Sequence, residues 1–219
     1  ETQPTGNSLN LTQAPKSSLS ITDQSLGVSS EKSEIEFDPA SGLLKRIKFD
    51  GREILITSPR LNAWRAPTDN DGIKAWSGQE HKPLGRWLKA GIQKLDIKEQ
   101  SCRVLQLDEV ETIQEKLELP ENNFLENVAK QVLLNLSVKH VYNCGDTQEA
   151  FVHETLWHVF PDLSLWMRNR VKIHETLEDL PRIGISLELS GSFEEFEWFG
   201  NGPHESYCDR KAGVRTGRF

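Results

Sequence analysis

The amino-acid sequence predicts an all-β protein, built as a large sandwich of antiparallel sheets with one short helix. Three observations support this fold class: apolar and polar residues alternate with a period of two in many segments, Gly and Pro interrupt the chain repeatedly, and only one segment has helical spacing. With 219 residues, of which 36% are hydrophobic, and six tryptophans, the chain has enough apolar material for a substantial core.

The N-terminal residues 1–33 differ in composition from the rest of the chain. They are rich in Ser, Thr, Gln, Gly and Pro and contain only scattered aliphatic residues, which is typical of a linker or a loosely ordered segment. A regular alternation of Glu with Ile and Phe begins at Glu34. The sequence therefore predicts a linker over residues 1–33 and one β-sandwich domain over residues 34–219.

The first predicted hairpin lies around Asp50 and Gly51. Residues 43–49 and 53–56 alternate as strands on either side of this pair. Both central residues of a type I′ turn need positive φ, which Asp and Gly tolerate. A long irregular stretch rich in Pro and Gly follows, and such stretches in compact domains are often functional.

The one predicted helix covers residues 86–95. Trp87, Leu88 and Ile92 can share one face at helical spacing there.

The second half of the chain predicts further strands, at residues 131–141, 150–159, 165–173, 182–189 and 193–199. In the strand 165–173, Trp166 shares its face with Arg168 and Arg170, which fits a domain interface as well as solvent. The strand 182–189 is predicted to turn one apolar face inward, made of Ile183, Ile185, Leu187 and Leu189.

Aromatic and histidine residues are more readily explained by structure than by ligand binding. Four tryptophans adjoin other apolar residues and are predicted to lie in the core: Trp64, Trp87, Trp157 and Trp198. His153 and His158 are five residues apart in one strand, so they face opposite sides and cannot share a metal ion. His204 lies in a turn rich in Gly and Pro, where a side chain can project towards a ligand or support the turn.

Composition excludes several classes of function. A net charge of −7 and a pI near 5.5 argue against a nucleic-acid partner, and no apolar run is long enough to span a membrane. Three cysteines without a CxxC pair indicate neither a disulfide framework nor a zinc site, which favours the cytoplasm. With 33 acidic residues, composition nominates no catalytic carboxylate pair.

Four segments carry distinctive motifs: LNAWRAPTDND at 61–71, GRWLKAG at 85–91, LPRIG at 180–184 and WFGNGPHESYCDR at 198–210. In order and rough spacing they resemble the C-terminal, small-chain domain of glycoside hydrolase family 2 β-galactosidases. The resemblance covers about residues 34–219.

The resemblance implies a large antiparallel supersandwich similar to galactose mutarotase. It also implies that the intact protein hydrolyses terminal β-D-galactosides with retention of configuration. In that family the catalytic glutamates and the bound ions, Mg²⁺ with Na⁺ as a second candidate, belong to a TIM-barrel domain, either earlier in the polypeptide or on a separate large chain. This segment would then hold no cofactor, metal ion or catalytic residue. It would pack on the barrel, help to wall the galactose pocket and support a homo-oligomer.

The sequence departs from the family pattern in two places. Ser206 and Cys208 stand where the family more often has Asn and Pro. The chain also stops at Phe219, where the resemblance implies several more strands and an aromatic residue that completes the pocket. A sandwich truncated at this C-terminus is expected to expose sheet edges and apolar surface.

The resemblance places eight candidates on a surface that faces the sugar or the barrel: Arg65, Asp69, Asn70, Asp71, His204, Glu205, Asp209 and Arg210. The alternative is that these side chains hold irregular backbone through hydrogen bonds, as Asp and Asn often do in turns. Three rival functions also stay open: a stand-alone carbohydrate-binding module, an aldose epimerase-like protein, and a structural assembly domain without sugar affinity.

Overall fold

The computed structural model describes residues 17–22, 24–74, 81–116, 132–177, 179–204, 206 and 211–219. The chain divides into two compact units, the first ending at Glu188 and the second covering Leu189–Phe219.

The first unit begins with a five-stranded antiparallel sheet in the order β1-β2-β3-β4-β5. Its strands are β1 (Ser18–Ile21), β2 (Leu26–Ser29), β3 (Glu34–Phe37), β4 (Leu44–Phe49) and β5 (Arg52–Glu53). Between β4 and β5, Asp50 has φ 45° and Gly51 has φ 78°. The predicted hairpin, with positive φ at both turn residues, is therefore confirmed.

Regular structure begins before the boundary predicted at Glu34. Leu26 and Val28 in β2 are only 3% and 1% exposed, and they pair with Phe37 and Ile35 of β3. Two isolated aliphatic residues in a polar segment are a weak signal for a strand. They become buried because the segment pairs with β3, and the local sequence does not show this pairing. Residues 1–16 of the predicted linker lie outside the described residues.

A second sheet of four antiparallel strands has the order β10-β9-β8-β7. Its strands are β7 (Leu95–Val104), β8 (Leu134–Cys144), β9 (Thr147–Val159) and β10 (Leu165–Ile173). Three of these four strands were predicted, β10 with its observed bounds; the fourth, β7, was not predicted.

The two sheets enclose a common core, which confirms the predicted all-β sandwich. Its buried members are Leu26, Val28, Ile35, Phe37, Leu44, Leu55, Leu134, Leu136, Val138, Trp157 and Val159. Phe37 and Trp157 meet edge to face across it, with ring centroids 5.5 Å apart.

Two further pairs of strands complete the described β structure. β6 (Leu55–Asn62) pairs with β11 (Gly184–Leu189) in the first unit. In the second unit, β12 (Phe199–Gly202) pairs antiparallel with β13 (Arg215–Arg218).

Two strand predictions need correction. The predicted strand 193–199 forms only at its last residue, Phe199, where β12 begins. Phe193 and Phe196 are three positions apart, so they cannot share one face of a strand, and they are 50% and 77% exposed. The predicted inward face of residues 182–189 is also largely exposed: Ile183, Leu187 and Leu189 are 47%, 43% and 44% exposed. Alternation identified the apolar face correctly, but it could not show how much of that face the rest of the chain covers.

The helical prediction was partly wrong. Helix α1 covers Pro83–Ala90 and ends at Gly91, whose φ of 76° is left-handed, so the helix cannot continue to the predicted residue 95. A second helix, α2 (Leu107–Lys116), was not predicted. Val110 of α2 is buried in a small apolar cluster with Leu156 of β9. In the described part of the chain, no helix has the length and apolarity needed to cross a membrane.

The predicted structural roles of the two histidines are confirmed. His153 Nε2 lies 2.8 Å from Asn169 Oδ1, and His158 Nδ1 lies 2.6 Å from Asn135 Oδ1. Both rings are buried, and they lie on opposite faces of β9.

Of the four tryptophans predicted to be core residues, Trp87 and Trp157 are 3% and 7% exposed, whereas Trp64 and Trp198 are only partly buried.

Trp166 and Arg168 share one face of β10. Arg168 is 7% exposed, and its guanidinium carbon lies 5.7 Å from the Trp166 ring centroid. Arg168 therefore does not lie in solvent.

Candidate functional site

The site is built around the loop that follows β6, where the first distinctive motif lies. Asn62 Oδ1 accepts a hydrogen bond of 2.9 Å from the Trp64 backbone N–H, which turns the chain out of the strand. Ala63 is buried, so this turn is anchored in the core before the polar part of the motif begins.

Arg65 is the centre of the loop. Its Nη1 and Nη2 donate to the two carboxylate oxygens of Asp71 at 2.7 and 3.0 Å, a bidentate ion pair. Its Nε donates to the Pro181 carbonyl oxygen at 3.0 Å. Arg65 therefore joins the motif at 61–71 to the motif at 180–184, which lies more than one hundred residues later in the chain.

Asp71 also organises the backbone of the loop. The Thr68 backbone N–H and hydroxyl donate to Asp71 Oδ2 at 2.7 and 2.8 Å, at the start of a short 3₁₀ turn, Asp69–Asp71. The hydrogen bonds from Arg65, aided by those from Thr68, outweigh the effect of burial and lower the pKa of Asp71 to about 2. Gly72, with φ 98°, ends the turn.

Helix α1 brings the motif at 85–91 to the same place. The guanidinium carbon of Arg65 lies 5.1 Å from the Trp87 ring centroid, within the range of a cation–π contact. Trp64 meets Trp87 edge to face at 6.3 Å. Three of the four distinctive motifs thus converge on Arg65 and Trp87, although they are far apart in sequence.

A cleft of about 300 Å³ borders Trp87, and its lining residues are Arg86, Trp87, Lys89, Ala90, Ile92, Thr176, Leu177 and Asp179. Arg86 and Asp179 form a bidentate ion pair at its rim, with Nη2–Oδ2 at 2.8 Å and Nε–Oδ1 at 3.3 Å. The indole Nε1 of Trp87 is buried and has no hydrogen-bond partner in the described residues. The volume is at the lower end of the range for small-molecule sites.

The eight predicted site residues separate into four groups. Arg65 and Asp71 are brought together and hold the loop. Asp69 and Asn70 are exposed, and Asp69 Oδ2 lies 3.0 Å from Lys74 Nζ. His204 is exposed in the second unit. The remaining three lie outside the described residues: Glu205, Asp209 and Arg210.

Sequence reasoning did not nominate Arg86, Trp87 or Asp179 for the site. Trp87 was assigned to the core, correctly, and the motif at 85–91 was the only signal that its helix belongs beside Arg65. Asp179 pairs with Arg86 across 93 positions of sequence, and no local pattern predicts such a contact.

The chemistry of this arrangement is that of a scaffold. Asp71 is held ionised by a guanidinium group, so it is a poor proton donor. Across the described ranges, no group of three or more His, Cys, Asp or Glu residues could hold a metal ion. Cys102 and Cys144 are free thiols.

Comparison with known proteins identifies the family. The family model described as "Beta galactosidase small chain" matches residues 29–219. The chain belongs to this family. The match begins five residues before the predicted boundary at Glu34 and includes all four distinctive motifs.

Three curated relatives of this chain are each named β-galactosidase. The chain is 27% identical over 214 residues to the protein of Vibrio cholerae, which covers 95% of this chain and 18% of that protein. It is 28% identical over 200 residues to that of Halalkalibacterium halodurans, covering 90% and 16% respectively. The protein of Yersinia enterocolitica is 30% identical over 194 residues, which covers 88% of this chain and 16% of the relative.

The chain thus spans less than one fifth of the length of these relatives.

Proposed function

We propose that this chain is the non-catalytic small-chain domain of a β-galactosidase that hydrolyses terminal β-D-galactosides with retention of configuration. The observation that carries the proposal is the convergence of three family motifs on Arg65. This arrangement orders the backbone of the loop, and the carboxylate at its centre, that of Asp71, is paired with Arg65. The family match supports the assignment to such an enzyme.

A retaining glycosidase needs two carboxyl groups about 5 Å apart, one of which must keep its proton near neutral pH. Asp71 has the opposite character, because its guanidinium partner lowers the pKa of its carboxyl group to about 2. Following the family resemblance, we assign the acid and the nucleophile, with Mg²⁺ and Na⁺ as candidate ions, to a TIM-barrel domain or a large chain outside residues 1–219. In this proposal the small chain packs on the barrel, supports its galactose pocket and contributes to a homo-oligomer.

The proposal is tested by assaying the purified 219-residue chain with a chromogenic β-galactoside, in the presence of Mg²⁺ and Na⁺. The expected result is no turnover above the buffer rate, while the full-length enzyme at the same molar concentration is active. Hydrolysis that follows the concentration of the 219-residue chain through several purification steps would refute the proposal.

A second candidate, direct binding of a sugar, is favoured by the cleft beside Trp87. Its lining combines apolar atoms of Trp87 and Ile92 with the Arg86–Asp179 pair, whose polar groups could bind sugar hydroxyls. Calorimetric titration of the chain with galactose and lactose tests this function. A carbohydrate-binding module should bind at millimolar concentration or tighter, about −4 kcal/mol. Asp179→Asn, which removes the negative charge of the Arg–Asp pair at the rim of the cleft, should then weaken binding.

A further inference from the structure

The second sheet buries a cluster of polar side chains on one face. His140 of β8 and His153 of β9 are cross-strand partners, and their ring centroids lie 6.5 Å apart. Thr155 lies two residues after His153, on the same face of β9. The three residues are only 5%, 4% and 3% exposed, so the polar atoms of their side chains need hydrogen-bond partners inside the protein.

One nitrogen of His153 has its partners in the second sheet. Its Nε2 lies 2.8 Å from Asn169 Oδ1 and 3.1 Å from Thr155 Oγ1. The Thr155 hydroxyl itself donates to Asn169 Oδ1 at 3.1 Å. Because an amide oxygen only accepts hydrogen bonds, Nε2 must carry the hydrogen of the His153 ring.

The other nitrogen of His153, Nδ1, is buried and has no hydrogen-bond partner among the residues that the structure describes. Burial lowers the pKa of His153 in spite of the hydrogen bond with Asn169, which favours the neutral ring. In a neutral ring with its hydrogen on Nε2, Nδ1 is an acceptor. A buried acceptor without a donor is costly, so Nδ1 calls for a donor from within the core.

The neighbouring side chains have already used their hydrogens. His140 Nε2 lies 2.9 Å from the backbone carbonyl oxygen of buried Ser41, and a carbonyl oxygen can only accept, so this nitrogen donates to the loop before β4. The single hydrogen of the Thr155 hydroxyl goes to Asn169. Neither group is therefore left to donate to His153 Nδ1.

A small cavity borders the same ring. Its volume is about 10 Å³, and its lining includes His140, His153 and Thr155 from the second sheet, with Gly42 and Leu44 from the β3–β4 connection and β4. This is about the smallest space that holds one water molecule, and it is far too small for an organic ligand. The cavity thus lies where the two sheets of the sandwich meet.

We propose that one water molecule is bound in this cavity as a constant part of the sandwich core, and that it donates a hydrogen bond to His153 Nδ1. Water suits the site because it can donate two hydrogen bonds and accept two. His140 and Thr155 line the same cavity and provide the further polar surroundings that a buried water requires. The bound water completes the hydrogen bonding of His153 without bringing a charge into the core.

A crystal structure of the chain at a resolution that shows ordered waters tests the proposal directly. The expected result is a single peak of electron density in the cavity, within about 3.2 Å of His153 Nδ1. A cavity without density would overturn the proposal. The same conclusion would follow from a peak beyond hydrogen-bonding distance of Nδ1, or from a protein group that donates to Nδ1 in place of water.

Two variants test the site in solution, where magnetic relaxation dispersion of the water oxygen counts long-lived bound waters. His153→Gln places an amide near the position of Nε2 but has no counterpart of Nδ1, so the count should fall by about one molecule. His174→Gln is the matched control, because His174 does not line the cavity and its Nδ1 already lies 2.9 Å from Thr176 Oγ1. The control should leave the count unchanged.

Equal counts in the wild type and in folded His153→Gln would contradict the inference, and so would the same loss in both variants. If His153→Gln does not fold, the density beside His153 Nδ1 in the wild-type crystal decides.

Discussion

The loop at Arg65 and the histidines of the second sheet both bury polar groups. The loop favours the ionised form of its carboxyl group, whereas the sheet favours the neutral form of its histidines. Asp71 stays ionised because a guanidinium group and the Thr68 donors satisfy its carboxylate. His153 and His158 instead have neutral amide partners, Asn169 and Asn135, which carry no negative charge to pair with a protonated ring.

Burial has correspondingly different effects on the two regions. It lowers the pKa of His140, His153 and His158, the last to about 4, where Arg168 adds to the effect. The pKa of Asp71 falls to about 2 in spite of burial, because hydrogen bonds dominate there. The comparison teaches that one region depends on keeping a charge and the other on excluding one, and four experiments can break or sharpen it.

The largest effect is expected from Arg65→Met. The substitution removes the cationic partner of Asp71, a residue that is only 7% exposed. It also removes the hydrogen-bond donor to the Pro181 carbonyl oxygen. Loss of one partner of such a pair should lower the free energy of unfolding by about 3 to 4 kcal/mol. Urea denaturation at pH 7 measures the change; a loss smaller than that of Asp71→Asn would show that the ion pair is not the centre of the loop.

Mild acid should destabilise the histidine region next. The pKa of His158 is about 4 in the folded state and 6.5 in the unfolded state. Between these two pH values the unfolded chain binds a proton at His158, whereas the folded chain does not. Stability should fall by about 3 kcal/mol for this residue as pH decreases from 6.5 to 4. Urea denaturation at several pH values measures it, and His158→Gln should flatten the slope. An unchanged slope in His158→Gln would contradict the assignment.

A smaller effect is expected from Asp71→Asn, in a lower pH range. The carboxyl pKa is 3.8 when unfolded and about 2 when folded, so its stabilisation is present above pH 3.8 and is lost as pH falls towards 2. At pH 7 the substitution should cost about 2 kcal/mol. The difference from wild type should shrink below pH 3.8 and stay constant between pH 7 and 5, which distinguishes Asp71 from the histidines in denaturation curves.

The smallest effect is expected from Asp69→Asn, the matched control in the same loop. Asp69 pairs with Lys74 at 3.0 Å, but the side chains are 68% and 47% exposed. An exposed ion pair contributes at most about 0.5 kcal/mol, and salt screens it. Thermal unfolding at low and at 0.5 M salt should therefore show little difference from wild type, and a loss as large as that of Asp71→Asn would mean that the whole acidic loop acts as one unit.

Local signals in the sequence account for much of the fold. The Asp50-Gly51 turn and the strand Leu165–Ile173 were predicted correctly, because turn chemistry and two-residue alternation are encoded within a few residues. The second helix, Leu107–Lys116, was missed. Its Val110 is buried against Leu105 and Leu156, with Ile113 partly buried beside them, so its local pattern is faint and tertiary packing stabilises it.

The sequence by itself determined the alternation of β11, the residue types of the Arg65 loop and the family that the four motifs indicate. Only the tertiary structure decided that Arg65 bonds Asp71 and the Pro181 carbonyl, that Trp87 lies beneath it, and that Leu187 and Leu189 are left uncovered. The reason is physical: alternation and turn propensity act between near neighbours in the chain, whereas ion pairs and burial depend on which distant segments the folded sheets bring within a few ångströms of one another.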